Sequence, residues 1–409
     1  MDNQIIYFCE LIKNVIHPQK DSSLKGTIEW STLVQLAKEH NLLPIFMEGA
    51  IKQYSYIVRQ EYDREMSEAI AVVAAQVKRT NAFLKLYDAF VREGLHPIVM
   101  KGLICRELYG DLSDHRPSGD EDILIRLNEY WKAKEVLIAN GYVPGIESET
   151  EAQLEKLQEV SFIHPKEKLH IELHLNAMGK EDEARSRMSE YFERVFDNYR
   201  EVEVNGVQVR TMNHQDHLTL LILHTFKHFI GGGFGIRQML DILLYQEKYC
   251  SEIVIAQLRD VLHTFKADVF WNDMINIGNK YFGFELPVFQ EPNCIDELLE
   301  DMILCGTFGN KTQAERTATG TVLAATENYL QNKANNSLKM LWKSVFPNKT
   351  YLVNQYSFLE KRPWLLPVVW AKRLGRFLKK HKMDQGNLAF ESMKISQRRM
   401  KLLKKYGLV

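Results

Sequence analysis

Between residues 28 and 93 apolar side chains recur at steps of three and four, among them Ile70, Val73, Val77, Phe83, Leu84, Tyr87 and Phe90, while Gly and Pro are scarce. That spacing follows the 3.6-residue helical turn and predicts a helical lead-in. At 94 the texture changes: Gly94 supplies a helix stop, and HPIVMKG is a short apolar run closed by glycine, as in a buried strand. A helix is expected over 103–109, then a polar loop, YGDLSDHRPSGD, then a strand in EDILIR with Ile123 and Ile125 on one face. The segment 128–140 is helical in pattern and closes on Asn140-Gly141. VSFIH and LHIELHL, between 160 and 175, alternate as strands do. EVEVNGVQVRT at 201–211 alternates on both sides of Asn205-Gly206, a dipeptide that tolerates the left-handed conformation of a tight hairpin turn. From His214 onward the pattern is mostly helical, interrupted by Gly231, Gly232 and Gly233 and by proline-bearing loops near Pro287, Pro292 and Pro347.

A chain of 409 residues exceeds the size at which a single core usually stops growing, so two or three packed units are expected. Lys and Arg number 52 against 53 Asp and Glu, which removes a global basic field and with it a long nucleic acid as implied partner. Cys9, Cys105, Cys250, Cys294 and Cys305 are scattered and never closely paired, so they read as free thiols in a reducing cytoplasm rather than zinc ligands. The first residues, MDNQIIYFCELIKNVIH, lack the basic, apolar and small-residue regions of a secretory signal, and a cytoplasmic location is expected. The most membrane-like stretch, PWLLPVVWA at 363–371, falls short of the ~20 residues of a transmembrane span. It reads as a Pro-started helix packed on the protein with its basic ends in water, ahead of the alternative, surface association with anionic lipid.

The candidate chemistry begins in SGDEDILI. Residues two apart on a strand share a face, so Asp120 and Asp122 present two carboxylates together, a repulsive pair that a divalent cation relieves. An Asp-x-Asp alone is commonly a solvated pair. Glu172 raises the signal, because it lies among the alternating apolar residues of LHIELHL, where an unpaired charge is expensive. Leu169, Ile171 and Leu173 share one face, and His170, Glu172 and His174 the other. A third carboxylate beside the pair would complete a two-metal site, and the competing reading is a structural bridge from Glu172 to Arg or Lys. Lys101-Gly102 ends one strand and starts a helix, where backbone amides and an ammonium can hold phosphate. Arg116 and Ser118 precede the acids; a guanidinium there either clamps triphosphate or holds the loop through backbone carbonyls. His224, Lys227 and His228 share a helical face, as do Arg237 and Asp241 further on. With His174 they line a substrate cleft or form a structural polar cluster.

The run IVMKGLICRELYGDLSDHRPSGDEDILIRLNEYWKAKEVLIANGY, with the later IELHLN, resembles the uncharacterised nucleotidyltransferases of the polymerase-beta-like superfamily, whose members carry a Lys-Gly, a Tyr, an Arg and an Asp-x-Asp in this order. The likeness continues through VNGVQVRTMNHQDHLTLLILHTFKHF and GIRQMLDI and, faintly, FPNKTYLVNQYSFLEKRPWLLPVVWAKR, from about 84 to 380, leaving the first helical stretch outside it. The resemblance implies that Asp120, Asp122 and Glu172 are catalytic and bind Mg²⁺ or Mn²⁺, with the general-base role open to Glu172. It also implies that Lys101 and Gly102 stand where the wider superfamily holds nucleotide phosphate, and Arg116 and Ser118 remain candidates for binding the triphosphate beside them. Two departures stand out: Lys101-Gly102 replaces the superfamily's Gly-Ser, and Glu121 sits where relatives carry an apolar residue, facing solvent or a basic partner across the strand. The expected fold is α+β, a small mixed-sheet nucleotidyltransferase core at 94–212 with a helical unit at 1–93 and another at 213–409. The expected reaction moves a nucleoside monophosphate from the triphosphate to an unknown hydroxyl, phosphate or amino acceptor, releasing pyrophosphate. The rival is a catalytically silent binding or regulatory protein on the same fold; a kinase ranks below both, for want of a Walker loop or kinase signatures.

Overall fold

The computed structural model describes residues 2–18, 28–53, 59–145, 150–155, 157–180, 183–306, 352, 362–370, 372 and 385–408. They belong to two compact units, Met1–Phe226 with Gly235–Asp296, and Lys227–Phe234 with Glu297–Val409. The fold is mixed α+β, with helices flanking a seven-stranded mixed sheet.

In chain order the elements are α1 (Asn3–Ile16), α2 (Trp30–Glu39), α3 (Leu43–Gln53), α4 (Arg59–Arg92), β1 (Ile98–Val99), α5 (Leu103–Arg106), β2 (Asp120–Leu124), α6 (Tyr130–Ala139), β3 (Val143–Pro144), α7 (Glu151–Leu154), β4 (Glu159–His164), β5 (Leu169–His174), α8 (Glu183–Tyr191), β6 (Tyr199–Val204), β7 (Val207–Met212), α9 (His214–Gly231), α10 (Ile236–Lys248), α11 (Ile255–Thr264), α12 (Asp268–Ile277), α13 (Ile295–Cys305) and α14 (Gln385–Lys405). The sheet order is β3-β4-β5-β2-β1-β7-β6. β2 runs parallel to β5 and β1 parallel to β7; β1–β2, β3–β4, β4–β5 and β6–β7 are antiparallel. Asn205 and Gly206 turn the β6–β7 hairpin at φ 48° and 79°, the pair of positive angles that a two-residue turn of right-handed strands demands.

One face of the sheet carries the core. Val99, Ile123, Val160, Phe162, Ile171, Leu173 and Val209 meet Phe83, Leu84, Tyr87 and Phe90 of α4 and Tyr130, Ala133 and Leu137 of α6 in one buried cluster. Strand alternation therefore delivers Asp120, Asp122, Glu159, Glu172 and His174 to the opposite face.

Three local expectations shift. The apolar stripe of the lead-in helix holds for Phe83, Leu84, Tyr87 and Phe90, but Ile70 and Val77 are 61% and 38% exposed. In that half of α4 the inward positions are Glu65, Ala69, Gln76 and Thr80; Glu65 meets Lys38 and Arg64, and Gln76 accepts the Ser118 amide. Polar partners, rather than apolar ones, set the phase of the helix there. The 103–109 helix is α-helical only through Arg106. It continues as a 3-10 helix over Glu107–His115, kinked at Gly110 with φ 58°, so most of the expected polar loop is helical. HPIVMKG pairs as a strand over only Ile98–Val99, with Met100 adding one bond to the Asp122 carbonyl.

In the second unit, Arg399 of α14 binds Asp301 of α13 and the Phe229 carbonyl, and Tyr406 packs edge-on to Phe229. The stretch 363–370 is helical as expected and buries Val369 against Leu352. The expected loop near Pro347 and the segment FPNKT lie outside the described residues. Among the described residues no helix is long and apolar enough to cross a membrane. Cys9, Cys105, Cys294 and Cys305 are buried free thiols, and Cys250 is an exposed one.

Candidate active site

The site lies within the first unit, on the polar face of β2, β5 and β4. Parallel pairing sets Asp122 beside Glu172 and Asp120 beside His170; antiparallel pairing sets Glu159 beside His174. Ligand atoms of Asp122, Glu172 and His174 all lie within 4.8 Å of one another. His174 Nε2 is 3.0 Å from Asp122 Oδ1, 3.4 Å from Glu159 Oε2 and 3.7 Å from Glu172 Oε2. Lys101 Nζ sits 2.7 Å from Asp122 Oδ1 and donates to His224 Nε2 at 3.0 Å.

The electrostatics follow from crowding in a buried place. Burial alone would push the Asp122 carboxyl up, but Lys101 and His174 outweigh it and hold the group well below the usual carboxylate range. Burial opposes the His174 imidazolium, yet its bonds to Asp122 and Glu172 prevail and raise its pKa to about 9. Lys101 is raised in the same way: burial works against the ammonium, and Asp122 wins. For Asp120, burial and then the neighbouring Asp122 charge outweigh Lys101 and Arg237 and push its carboxyl up. Glu159 is also raised, chiefly by burial, with His174 pulling the other way.

Asp120, Asp122, Glu159 and Glu172 thus face two close cations, Lys101 and His174. The surplus of hard oxygen donors, two of them raised by burial, fits a divalent cation such as Mg²⁺ or Mn²⁺. The convergent set differs from the expected one, since His174 joins Asp122 and Glu172 while Asp120 stands one position away on the same face of β2.

The phosphate-side residues are more committed to one another than their sequence suggests. Gly102 adopts φ 46°, and a Cβ there would fall 2.0 Å from Glu121 Oε2. Only glycine fits both the angle and the approach. Glu121 Oε2 accepts the Leu103 amide at 2.8 Å, and Glu121 Oε1 binds Arg106 at 2.6 Å, with both side chains 1% exposed. The helix-start amide expected to grip phosphate is therefore engaged by Glu121. Glu121 and the Lys101-Gly102 turn, singled out separately in the sequence, are one feature: Glu121 points into the core face, meets a basic partner, and pins the turn.

Ser118 belongs to the same network, accepting from Arg106 at 2.5 Å, while its amide donates to Gln76 and its carbonyl accepts from Arg79. Arg116 lies side-on to Asp241 at 3.0 and 2.5 Å, and Tyr109 donates to the same carboxylate at 3.0 Å. The loop-holding role considered for Arg116 falls instead to Arg237, which donates to the Pro117 carbonyl. Burial and then the Arg116 charge lower the Arg237 guanidinium to about 10. Among the described residues Arg116 Nη1 and Arg237 Nε are buried with no hydrogen-bond partner, donors left over for an anion. His224 reaches the site through Lys101. Lys227 and His228, half-buried and exposed, belong to the second unit.

Sequence reasoning missed Glu159 and Arg106, and gave Tyr109 only its place in the motif order, with no role. Glu159 was recoverable: counting outward from the turn between VSFIH and LHIELHL pairs it with His174.

No curated protein and no solved structure matches the chain. The model of a family of uncharacterised nucleotidyltransferases matches residues 26–283, which brings α2, α3 and α4 inside the likeness and ends it soon after α12. The match spans more than half of the sequence, and the chain belongs to that family of uncharacterised nucleotidyltransferases.

Proposed function

We propose that the protein transfers a nucleoside monophosphate from a nucleoside triphosphate to an acceptor oxygen or nitrogen. The observation that carries this reading is the convergence of Asp122, Glu172 and His174, with Asp120 beside them, on one face of adjoining strands in a chain of this family. Asp120, Asp122 and Glu172 would hold Mg²⁺ or Mn²⁺, which supplies charge neutralisation of the triphosphate and of the attacking and leaving oxygens. Lys101 and the spare donors of Arg116 and Arg237 bind phosphate oxygens. The acceptor atom attacks the α-phosphorus, the bond to the bridging oxygen of the β-phosphate breaks, pyrophosphate leaves, and the acceptor's proton passes to Glu172. His224 orients Lys101.

A second reading, a silent nucleotide-binding or regulatory protein, is favoured by the internal closure of the site: Lys101 and His174 already satisfy Asp122, and Glu121 engages the Leu103 amide. Incubation with each α-labelled nucleoside triphosphate, Mg²⁺ or Mn²⁺ and a cell extract separates the two. Label transferred to an extract component or to the protein supports the enzyme; tight triphosphate binding with no transfer in any extract supports the silent module.

A further inference from the structure

The near-neutral balance of the whole chain conceals a strong segregation of charge. Residues 361–409 carry fourteen Lys and Arg against only Asp384 and Glu391, leaving the preceding 360 residues acidic on balance. Two described helical stretches of the second unit show where part of this charge goes.

Over 363–370 the inward side is Leu365, Leu366, Val369 and Trp370, packed around Val369 and Leu352. The outward side is apolar as well: Trp364 is 70% exposed and Val368, one helical turn on, is 59% exposed, with Pro367 exposed between them. Exposed Arg362 and Lys372 bracket this strip. In α14 Leu402 and Leu403, and just beyond it Tyr406, turn inward, whereas Lys394, Gln397, Lys401 and Lys404 recur at steps of three and four on the exposed side. An outward Trp and Val framed by cations have little to gain from water alone. A Trp at an interface with basic neighbours suits the boundary between lipid headgroups and acyl chains, where the ring is half-immersed and the ammonium groups meet anionic headgroups. Nucleic acid would match the charge, but it offers nothing to Val368 and Pro367.

We propose that the second unit docks the protein on an anionic lipid surface, with Trp364 and Val368 entering the interface and Arg362, Lys372 and the exposed lysines of α14 binding the headgroups. The attachment is peripheral, since no described helix can span a bilayer. It is independent of the nucleotidyl-transfer reading, because none of these residues belongs to the acid cluster.

The test is co-sedimentation of the full chain with vesicles of phosphatidylglycerol and phosphatidylcholine in equal parts, and with phosphatidylcholine alone. The chain should pellet with the first and not the second, and raising salt to about 0.5 M should weaken the binding by shortening the screening length. The variant Trp364→Ser/Val368→Ser should lose about tenfold in affinity, the order expected for withdrawing two apolar side chains from an interface. Lys394→Gln/Lys401→Gln/Lys404→Gln should lose about fivefold per charge removed. All these positions are exposed, so the melting curves should match the parent. Failure to pellet with the anionic vesicles, equal pelleting with both compositions, or binding confined to a single-stranded RNA and unaffected by Trp364→Ser/Val368→Ser would each overturn the proposal.

Discussion

The buried pair Arg106–Glu121 allows the sharpest test of how the site is positioned. Both side chains are 1% exposed, Arg106 also donates to Ser118, and Glu121 alone accepts the Leu103 amide. Removing one partner of a buried pair strands the other charge, at a cost of about 3 to 5 kcal/mol. Arg106→Met should fall in that range. Glu121→Met should be worse, because the orphaned Leu103 amide adds about 1 to 3 kcal/mol. The double variant removes both charges and fills the space with apolar atoms, so only the amide penalty remains and it should lie about 1 to 3 kcal/mol below the parent. The double variant is therefore expected to be more stable than Glu121→Met alone, a strongly non-additive cycle. Urea unfolding followed by far-ultraviolet circular dichroism gives the four free energies. Additive losses, or single variants within about 1 kcal/mol of the parent, would refute the claim that this pair holds the Lys101-Gly102 turn.

Gly102→Ala should be destabilising, and its added cost should be smaller in a Glu121→Ala background than in the parent, since the clash is with the Glu121 carboxylate; a melting temperature equal to the parent would contradict the geometry. Burial and then the Arg200 charge depress the His217 imidazole to about 3. The unfolded chain takes up that proton near ~6.5, so the contribution is fully present above ~6.5 and lost as pH falls toward 3, by up to about 1.4 kcal/mol per pH unit. His217→Asn should flatten the acid limb of stability against pH, and an unchanged slope would exclude His217 as its source. Asp122→Asn should weaken Mg²⁺-dependent triphosphate binding in calorimetry while leaving the protein folded; affinity equal to the parent with and without Mg²⁺ would remove Asp122 from the metal site.

Much of the framework was legible because its signals are local. Asn205-Gly206 dictates a hairpin by backbone angle, and the alternation of LHIELHL assigns Leu169, Ile171 and Leu173 to the core and Glu172 and His174 to the other face, as found. Asp120, Asp122 and Glu172 came from the same parity. What stayed hidden depends on partners distant in sequence. Nothing local to Arg116 announces Asp241, and nothing local to Glu121 announces that Arg106, on the helix before it, is its counter-ion. The same holds for α4, where Glu65 and Gln76 turn inward because Lys38 and the Ser118 amide meet them there. His174 was placed on the correct face but assigned to a substrate cleft. Its role beside Asp122 follows from the side-chain reach across β2, β5 and β4, which periodicity does not encode.

The most direct test of nucleotidyl transfer by this acid cluster is pyrophosphate release by the parent and by Glu172→Gln, measured with the triphosphate and acceptor that label transfer identifies, alongside triphosphate binding and thermal melting. Glutamine keeps the shape and hydrogen-bonding reach of Glu172 but removes the charge that holds metal or takes the acceptor's proton. The expected result is a loss of turnover by a factor of about 10² or more, with triphosphate still bound through Asp120, Asp122 and Lys101 and with folding intact. Pyrophosphate release by Glu172→Gln at the parent's rate would contradict the mechanism.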